Sequence, residues 1–272
     1  MADESIGGRT LPTDSHTHSQ WSWDAADRGS MVGSCARAVQ LGLPAIAFTE
    51  HLDHTVRMNR RGELAAPPSF DVDGYLASIE YCRHRFPQLT ILTGLEIGEP
   101  HWHAEAVGKV LQAGPFDRVL GSLHYLIDGN GPAQSPRLYR YRGAKAAIRD
   151  YLAEVVRLVE GSDAFAVLAH IDYPVRYWPA EAGPFNPYDF EDEFRHALRT
   201  LAASGRALEV NTRLPMDPQI VRWWYEEGGP AVTFGSDAHV PDAVARRFGA
   251  AAAVVEAVGF RPGRHPQDFW IR

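Results

Sequence analysis

Cysteine is nearly absent from this sequence: Cys35 and Cys82 are the two in 272 residues. Neither belongs to a C-x-x-C pair and both fall in stretches of helical apolar spacing, so the thiols are expected to be reduced and structural. Long apolar runs are missing too. The best candidate, residues 250–258, is far too short to cross a bilayer and reads as a buried helix face, so no membrane role is expected. The first ten residues carry acids and glycines where a signal peptide needs a basic start and an apolar run, which predicts a cytoplasmic protein. An excess of basic charge is lacking as well. At a formal net charge of −7 the chain shows no electrostatic footprint for nucleic acid, whose binding rests on Lys and Arg neutralising phosphates. There is no nucleophile elbow and no P-loop.

What the chain does have is histidine, twelve residues of it, set in a regular alternation of short apolar runs and helical segments. A first short strand leads into His16, and strand patterns follow at 44–48, 89–95, 116–123, 164–169, 206–210 and 231–234. Helical spacing is read at 31–41, at 71–86 with Asp71 as its cap, and at 104–112, 144–160, 190–203, 218–227 and 240–258. Residues 52–69 and 128–142 read as long loops. Seven strand-then-helix units without a low-complexity linker predict an α/β fold in a single domain over 1–272. A closed or nearly closed barrel would occupy about 11–259, followed by a short C-terminal tail. A doubly wound open sheet is the alternative, and in either the carboxyl ends of the strands form the site face.

Side chains two apart in a strand share a face, so Asp14-Ser15-His16-Thr17-His18 aims His16 and His18 to one side of a sheet end. The ends of the other strands carry His51, Glu96, His124, His170, Asn211, and Asp237 with His239, while Asp24 follows His18 by six residues. One histidine or glutamate after a strand is more often a capped or solvated side chain than a ligand, but six segments doing it together reverse that balance. Imidazole and carboxylate hold zinc, iron and manganese. Seven or eight such ligands exceed the needs of one ion, so more than one is expected, with Glu96 able to bridge. His101 and His103 are read as solvent-facing or substrate-adjacent, and His54, His84, His196 and His265 as structural or exposed. Arg176, six residues beyond His170, is placed to receive an anion. Arg57, Arg60, Arg61, Arg137, Arg140 and Arg142 fall on the long loops.

The ordered set Asp14-x-His16-x-His18, Glu50-His51, Gly94-Leu95-Glu96, Gly121-Ser122-x-His124, His170, Glu209-x-Asn211 and Ser236-Asp237-x-His239 resembles the polymerase and histidinol phosphatase (PHP) superfamily from about Leu11 to about Gly259. Gly-Ser-Leu-His-Tyr at 121–125 and His-Ile-Asp-Tyr at 170–173 look most like its histidinol-phosphatase branch. The resemblance implies a distorted (β/α)7 TIM-like barrel with two or three divalent or transition metal ions (zinc, manganese or iron) at its carboxyl rim. By position, His16, His18, Glu96 and Asp237 would hold one ion; Glu96, His124 and His170 a second; His51, His239 and Asp24 a third. The chain departs from the pattern at Asp24, where some members carry histidine, although a carboxylate still coordinates. The implied activity is metal-dependent hydrolysis of a small phosphorylated metabolite, most concretely L-histidinol phosphate to L-histidinol and phosphate, with water activated to hydroxide by the metal. His51, Glu96, Asp237 and His239 would be catalytic, and Arg176, Arg213 and Asn211 would meet the substrate. The alternatives are a phosphoesterase of the same superfamily acting on a nucleotide or phosphotyrosine, and a non-catalytic metal-binding or nuclease-associated module.

Overall fold

The computed structural model describes residues 11–58, 64–129 and 131–272; residues 1–10, where a leader would lie, and Arg60 and Arg61 are outside the described residues. Among the described residues, seven parallel strands form the central sheet: β1 (Asp14–Thr17), β2 (Ala45–Leu52), β3 (Thr90–Gly98), β4 (Arg118–Ser122), β5 (Val167–Leu168), β6 (Ala207–Asn211) and β7 (Ala231–Gly235). Each pairs with the next, and Asp14 of β1 lies opposite Phe234 of β7, so the sheet closes into a barrel. An open doubly wound sheet is thereby set aside. The surrounding helices are α1 (Met31–Gln40), α2 (Val72–Arg85), α3 (Ala104–Ala113), α4 (Ser135–Arg142), α5 (Ala144–Gly161), α6 (Glu191–Ala203), α7 (Pro218–Glu226) and α8 (Phe248–Val258).

Local chemistry sets three of the helix starts. The side chains of Ser30, Asp71 and Asp217 each accept a backbone N–H from the first turn of α1, α2 and α7, satisfying donors that have no partner within the helix. Apolar stripes then seat the helices: Ile148, Leu152, Val155 and Val159 of α5 share one buried cluster with Phe48 of β2, Tyr75 of α2 and Trp223 of α7. Tyr75 also ties two strands to its helix. Its hydroxyl donates to the Phe48 carbonyl and accepts from Gly94 N–H, both at 2.8 Å.

The barrel is uneven. β1 slips by one residue against β2 between Asp14 and Thr17, and Thr17 Oγ1 bonds the Ala47 carbonyl there. The strand expected over 164–169 pairs only at Val167 and Leu168. The amino-terminal end is covered by the C-terminal tail, whose last strand, β8 (Trp270–Ile271), runs antiparallel to the first residues of β7. Trp270 packs edge-on to Phe234 at 4.8 Å, and Arg118 lies over the Phe269 ring while donating to the Gln267 carbonyl.

Two expectations fail. The loop read over 128–142 contains α4, which opens with Pro136 in its first turn and buries Leu138 and Tyr139; eight arginine-rich residues give too little apolar period to read. The helix read over 240–258 begins only at Phe248. Pro241 opens a 3-10 turn, and Ala245 and Arg247 take left-handed backbone with φ of 53° and 59°. The Ala245 N–H is instead given to the buried Asp14 carboxylate at 2.8 Å, a contact between residues 231 apart that no local pattern contains. Cys35 and Cys82 are buried free thiols on α1 and α2, as expected.

Tyr75→Phe should strand a carbonyl and an N–H in the core. A loss of about 1–3 kcal/mol is expected in urea unfolding, with an unchanged slope against denaturant; an unshifted midpoint would contradict the bridging role.

Candidate metal centre

Every strand-end group singled out in the sequence lies at the carboxyl rim. His16 and His18 leave β1, His51 and Glu96 stand near the ends of β2 and β3, and His124 and His170 follow β4 and β5. Asn211 ends β6, and Asp237 and His239 follow β7. Two of these residues hold left-handed backbone without being glycine, His170 at φ 39° and Asp237 at φ 51°. Such strain persists where packing over-determines it, and here it turns both side chains onto one cluster.

Glu96 is the centre of that cluster and is 1% exposed. Its Oε1 lies 2.7 Å from His170 Nε2 and 3.2 Å from His124 Nε2. Its Oε2 lies 3.1 Å from His16 Nε2, 3.3 Å from His18 Nε2 and 3.1 Å from His51 Nδ1, yet accepts no hydrogen bond among the described residues. The two oxygens thus face two separate sets of nitrogens. Burial pushes Glu96 toward the neutral acid, but His16, His51 and His124 outweigh it and hold the carboxyl well below its ordinary range.

The ring tautomers follow from what lies behind the rings. His16 Nδ1 is 2.6 Å from Glu209 Oε1, a carboxylate that also accepts from Asn211 Nδ2, so Nδ1 carries the proton. His18 Nδ1 is 2.9 Å from Ser22 Oγ, whose own proton goes to Glu50, so Nδ1 donates there as well. Both Nε2 atoms therefore turn toward Glu96 and lie 3.1 Å from each other. Burial, with His51 and His239 nearby, holds His18 well below its usual range and thus neutral. Burial also disfavours charge on His16, but Glu209 and Glu96 overcome it and hold that ring well above its usual range. The pocket between these atoms calls for positive charge, which a proton or a metal ion supplies.

The donor set fits divalent ions. His16, His18 and Asp237 converge, as do His16, Glu96 and His170, and His18, His51 and His239, the donor atoms within each group lying within 4.8 Å of one another. Asp24 approaches from the loop after β1, with Oδ2 2.8 Å from His239 Nε2 and Oδ1 3.6 Å from His51 Nε2. His16 and His18 are fully buried beneath a cavity of about 210 Å³. Asp24, His51, Glu96, His124, His170, Asp237 and His239 line it, with Arg176 and Arg213 at its side.

Arg176 places Nη2 2.8 Å from Asp237 Oδ2, and Arg213 places Nη1 3.0 Å from Asp237 Oδ1. Asn211 lies behind them, its Oδ1 accepting from Arg176 and from the Arg213 backbone N–H; it does not line the cavity. His101 is neither solvent-facing nor at the cavity. It pairs with Glu154 at 2.9 Å, where a buried helix carboxylate draws it and the Trp102 indole inward. His103 meets Thr55 Oγ1 at 2.9 Å. His84, His196 and His265 are exposed as read, and His54 is half-buried. Arg137, Arg140 and Arg142 do not line the cavity; Arg137 and Arg142 pair with Asp128 and Asp150.

Sequence reasoning missed the residues behind the ligands. Glu209 and Glu50 were quoted within motifs but given no role, although an acid inside a buried strand is itself a signal. Asp14 spans two loops, accepting from Ser236 and Ala245 N–H. Glu99, fully buried, accepts from His124 N–H at 2.6 Å, Tyr125 N–H and Thr55 Oγ1. Gly235 must lack a side chain because a Cβ there would collide with Glu209 and His16.

The PHP domain family model matches residues 14–213. The chain belongs to the PHP family. A probable histidinol-phosphatase of Deinococcus radiodurans is 32% identical over 269 residues, covering 91% of this chain and 94% of that protein. The histidinol-phosphatase of Lactococcus lactis is 26% identical over 235 residues, 84% of each chain. The crystal structure of a histidinol phosphate phosphatase from Lactococcus lactis, complexed with zinc, L-histidinol and phosphate, superposes with a TM-score of 0.81 at 24% identity, covering 96% of this chain and 99% of that one. The PHP barrel is thus shared across nearly the whole length.

Zinc at about 100 times its dissociation constant should stabilise the chelator-treated protein by about 2.7 kcal/mol. For a chain of this size that raises the melting midpoint by roughly 5–10 °C. Glu96→Ala should remove most of the shift, and an equal shift in that variant would argue against the assembled centre.

Proposed function

We propose that this PHP protein is a metal-dependent phosphomonoester hydrolase whose substrate is L-histidinol phosphate. The observation that carries the reading is Glu96, one buried carboxylate whose two oxygens face two sets of imidazole nitrogens at the floor of a small polar cavity flanked by two arginines. The named relatives supply the substrate. Divalent ions held there would act as Lewis acids toward phosphoryl oxygens and make water a stronger nucleophile.

The chain's own residues perform the rest. His16, His18, Glu96 and Asp237 form one ligand group; Glu96, His124 and His170 a second; His51, His239 and Asp24 a third, with two or three ions of zinc, manganese or iron. Arg176 is 13% exposed at the side chain, stacks on the Tyr173 ring at 5.1 Å and points into the cavity rim. With Arg213 it offsets charge on the phosphoryl oxygens, and Asn211 holds both in place. Trp23, Tyr125, Tyr173 and Tyr177 border the same cavity and offer aromatic faces to an imidazole ring. A volume of about 210 Å³ suits a metabolite rather than a polynucleotide, as does the net charge of −7.

Protein loaded with zinc or manganese should release phosphate from L-histidinol phosphate in preference to nucleotide monophosphates and phosphotyrosine. His124→Ala should lose metal and turnover together while keeping its far-ultraviolet dichroism. Preference for another ester would replace the substrate but not the reaction; full metal loading with no hydrolysis of any ester would favour the non-catalytic module. Arg176→Ala should lower kcat/KM roughly 100-fold with metal content unchanged, and undiminished turnover would remove Arg176 from the phosphate site.

A further inference from the structure

Asp53 lies two residues beyond His51, is buried, and lines the cavity. Its Oδ2 accepts from the Trp23 indole N–H at 2.8 Å. Its Oδ1 accepts no hydrogen bond among the described residues and sits 3.9 Å from His124 Nδ1. The other nitrogen of that ring, Nε2, is the one that faces Glu96 at 3.2 Å. Carboxylate and imidazole meet over Gly98, where a Cβ would collide with Asp53 Oδ1 and come within 3.6 Å of His124 Nδ1.

We propose that Asp53 is a positioning residue for the metal centre: it accepts a hydrogen bond from His124 Nδ1–H and so fixes the tautomer whose Nε2 lone pair is turned to the side of Glu96. Imidazole ligands are commonly held this way by a carboxylate on the far nitrogen, which fixes ring orientation and raises basicity. At 3.9 Å the two groups stand within ion-pair reach of each other. Trp23 makes the device two-sided. Its indole fixes the carboxylate's other oxygen, its ring lies 5.7 Å from that of His51, and the next residue, Asp24, reaches His239. One carboxylate therefore ties the loop after β1 to the ligand that follows β4. Gly98 leaves the space in which they meet.

This rests on the metal-centre part of the proposed function and not on the substrate. The test is zinc affinity of the full chain by chelator competition, together with the visible spectrum of the cobalt(II)-substituted protein, both read without substrate. Asp53→Ala should weaken zinc binding about 10- to 100-fold and alter the cobalt bands. Asp53→Asn keeps an oxygen that accepts from Nδ1 and should recover part of the loss. Gly98→Ala displaces the carboxylate without deleting it and should shift both readouts in the direction of Asp53→Ala. Trp23→Phe, which removes only the indole donor, should have a smaller effect of the same sign. If Asp53→Ala proves unable to fold, Gly98→Ala and Trp23→Phe carry the same readouts. Parental zinc affinity and cobalt bands in these variants would overturn the proposal. So would a change confined to KM for the phosphate ester, which would place Asp53 on the substrate instead. Because phosphate release is assayed separately, failure of the substrate reading and failure of this proposal register in different measurements.

Discussion

A buried carboxylate surrounded by imidazoles is the constraint to which the rest of this barrel answers. Glu96 is removed from water, and an isolated charge in that position would be prohibitively costly. It is tolerable because five ring nitrogens stand within 3.3 Å of its two oxygens. Those rings are themselves buried or nearly so and need partners on their far sides. Glu209 serves His16, Ser22 with Glu50 serves His18, and the Glu99 carboxylate fixes the backbone at His124. One charge at the barrel mouth thus dictates a second layer of acids and hydroxyls, and those in turn require glycine at Gly98 and Gly235, where a side chain would displace them.

The irregularities of the barrel lie where this demand is strongest. β1 slips against β2 beside the His16 and His18 pair, β5 shortens to two residues before His170, and His170 and Asp237 adopt left-handed backbone. A regular barrel would spread these side chains around a wider rim. Stability is recovered away from the mouth, in the apolar layer between sheet and helices and in the tail packed across the opposite end. The strain sits at the site while the scaffold that tolerates it lies behind.

How far the sequence could be read depended on the range of the interactions involved. α2 was legible to the residue because its signals are local, an Asp71 cap and apolar residues at Tyr75, Ile79 and Cys82. β2 and β3 were legible because buried parallel strands are apolar runs. α4 was lost because two turns rich in arginine show no stripe. The segment 240–247 was misread because its conformation is set by Asp14 from the other end of the chain. The ligand candidates were legible for a similar reason: coordinating side chains at strand ends form a pattern even when each taken alone does not.

The sequence by itself determined the alternation of strand and helix, and hence the parallel sheet, and it set which rim would collect the histidines and acids. Chain order and residue type carry that information, since strand direction fixes where each strand's last side chain points. Tertiary structure decided which of those groups meet, which nitrogen of each ring is free, and which acids stand behind them. It also separated Arg176 and Arg213 at the cavity from Asn211 behind it, and drew His101 away to Glu154. These outcomes turn on distances of about 3 Å between residues that are far apart in the chain, and only the closure of the barrel sets them.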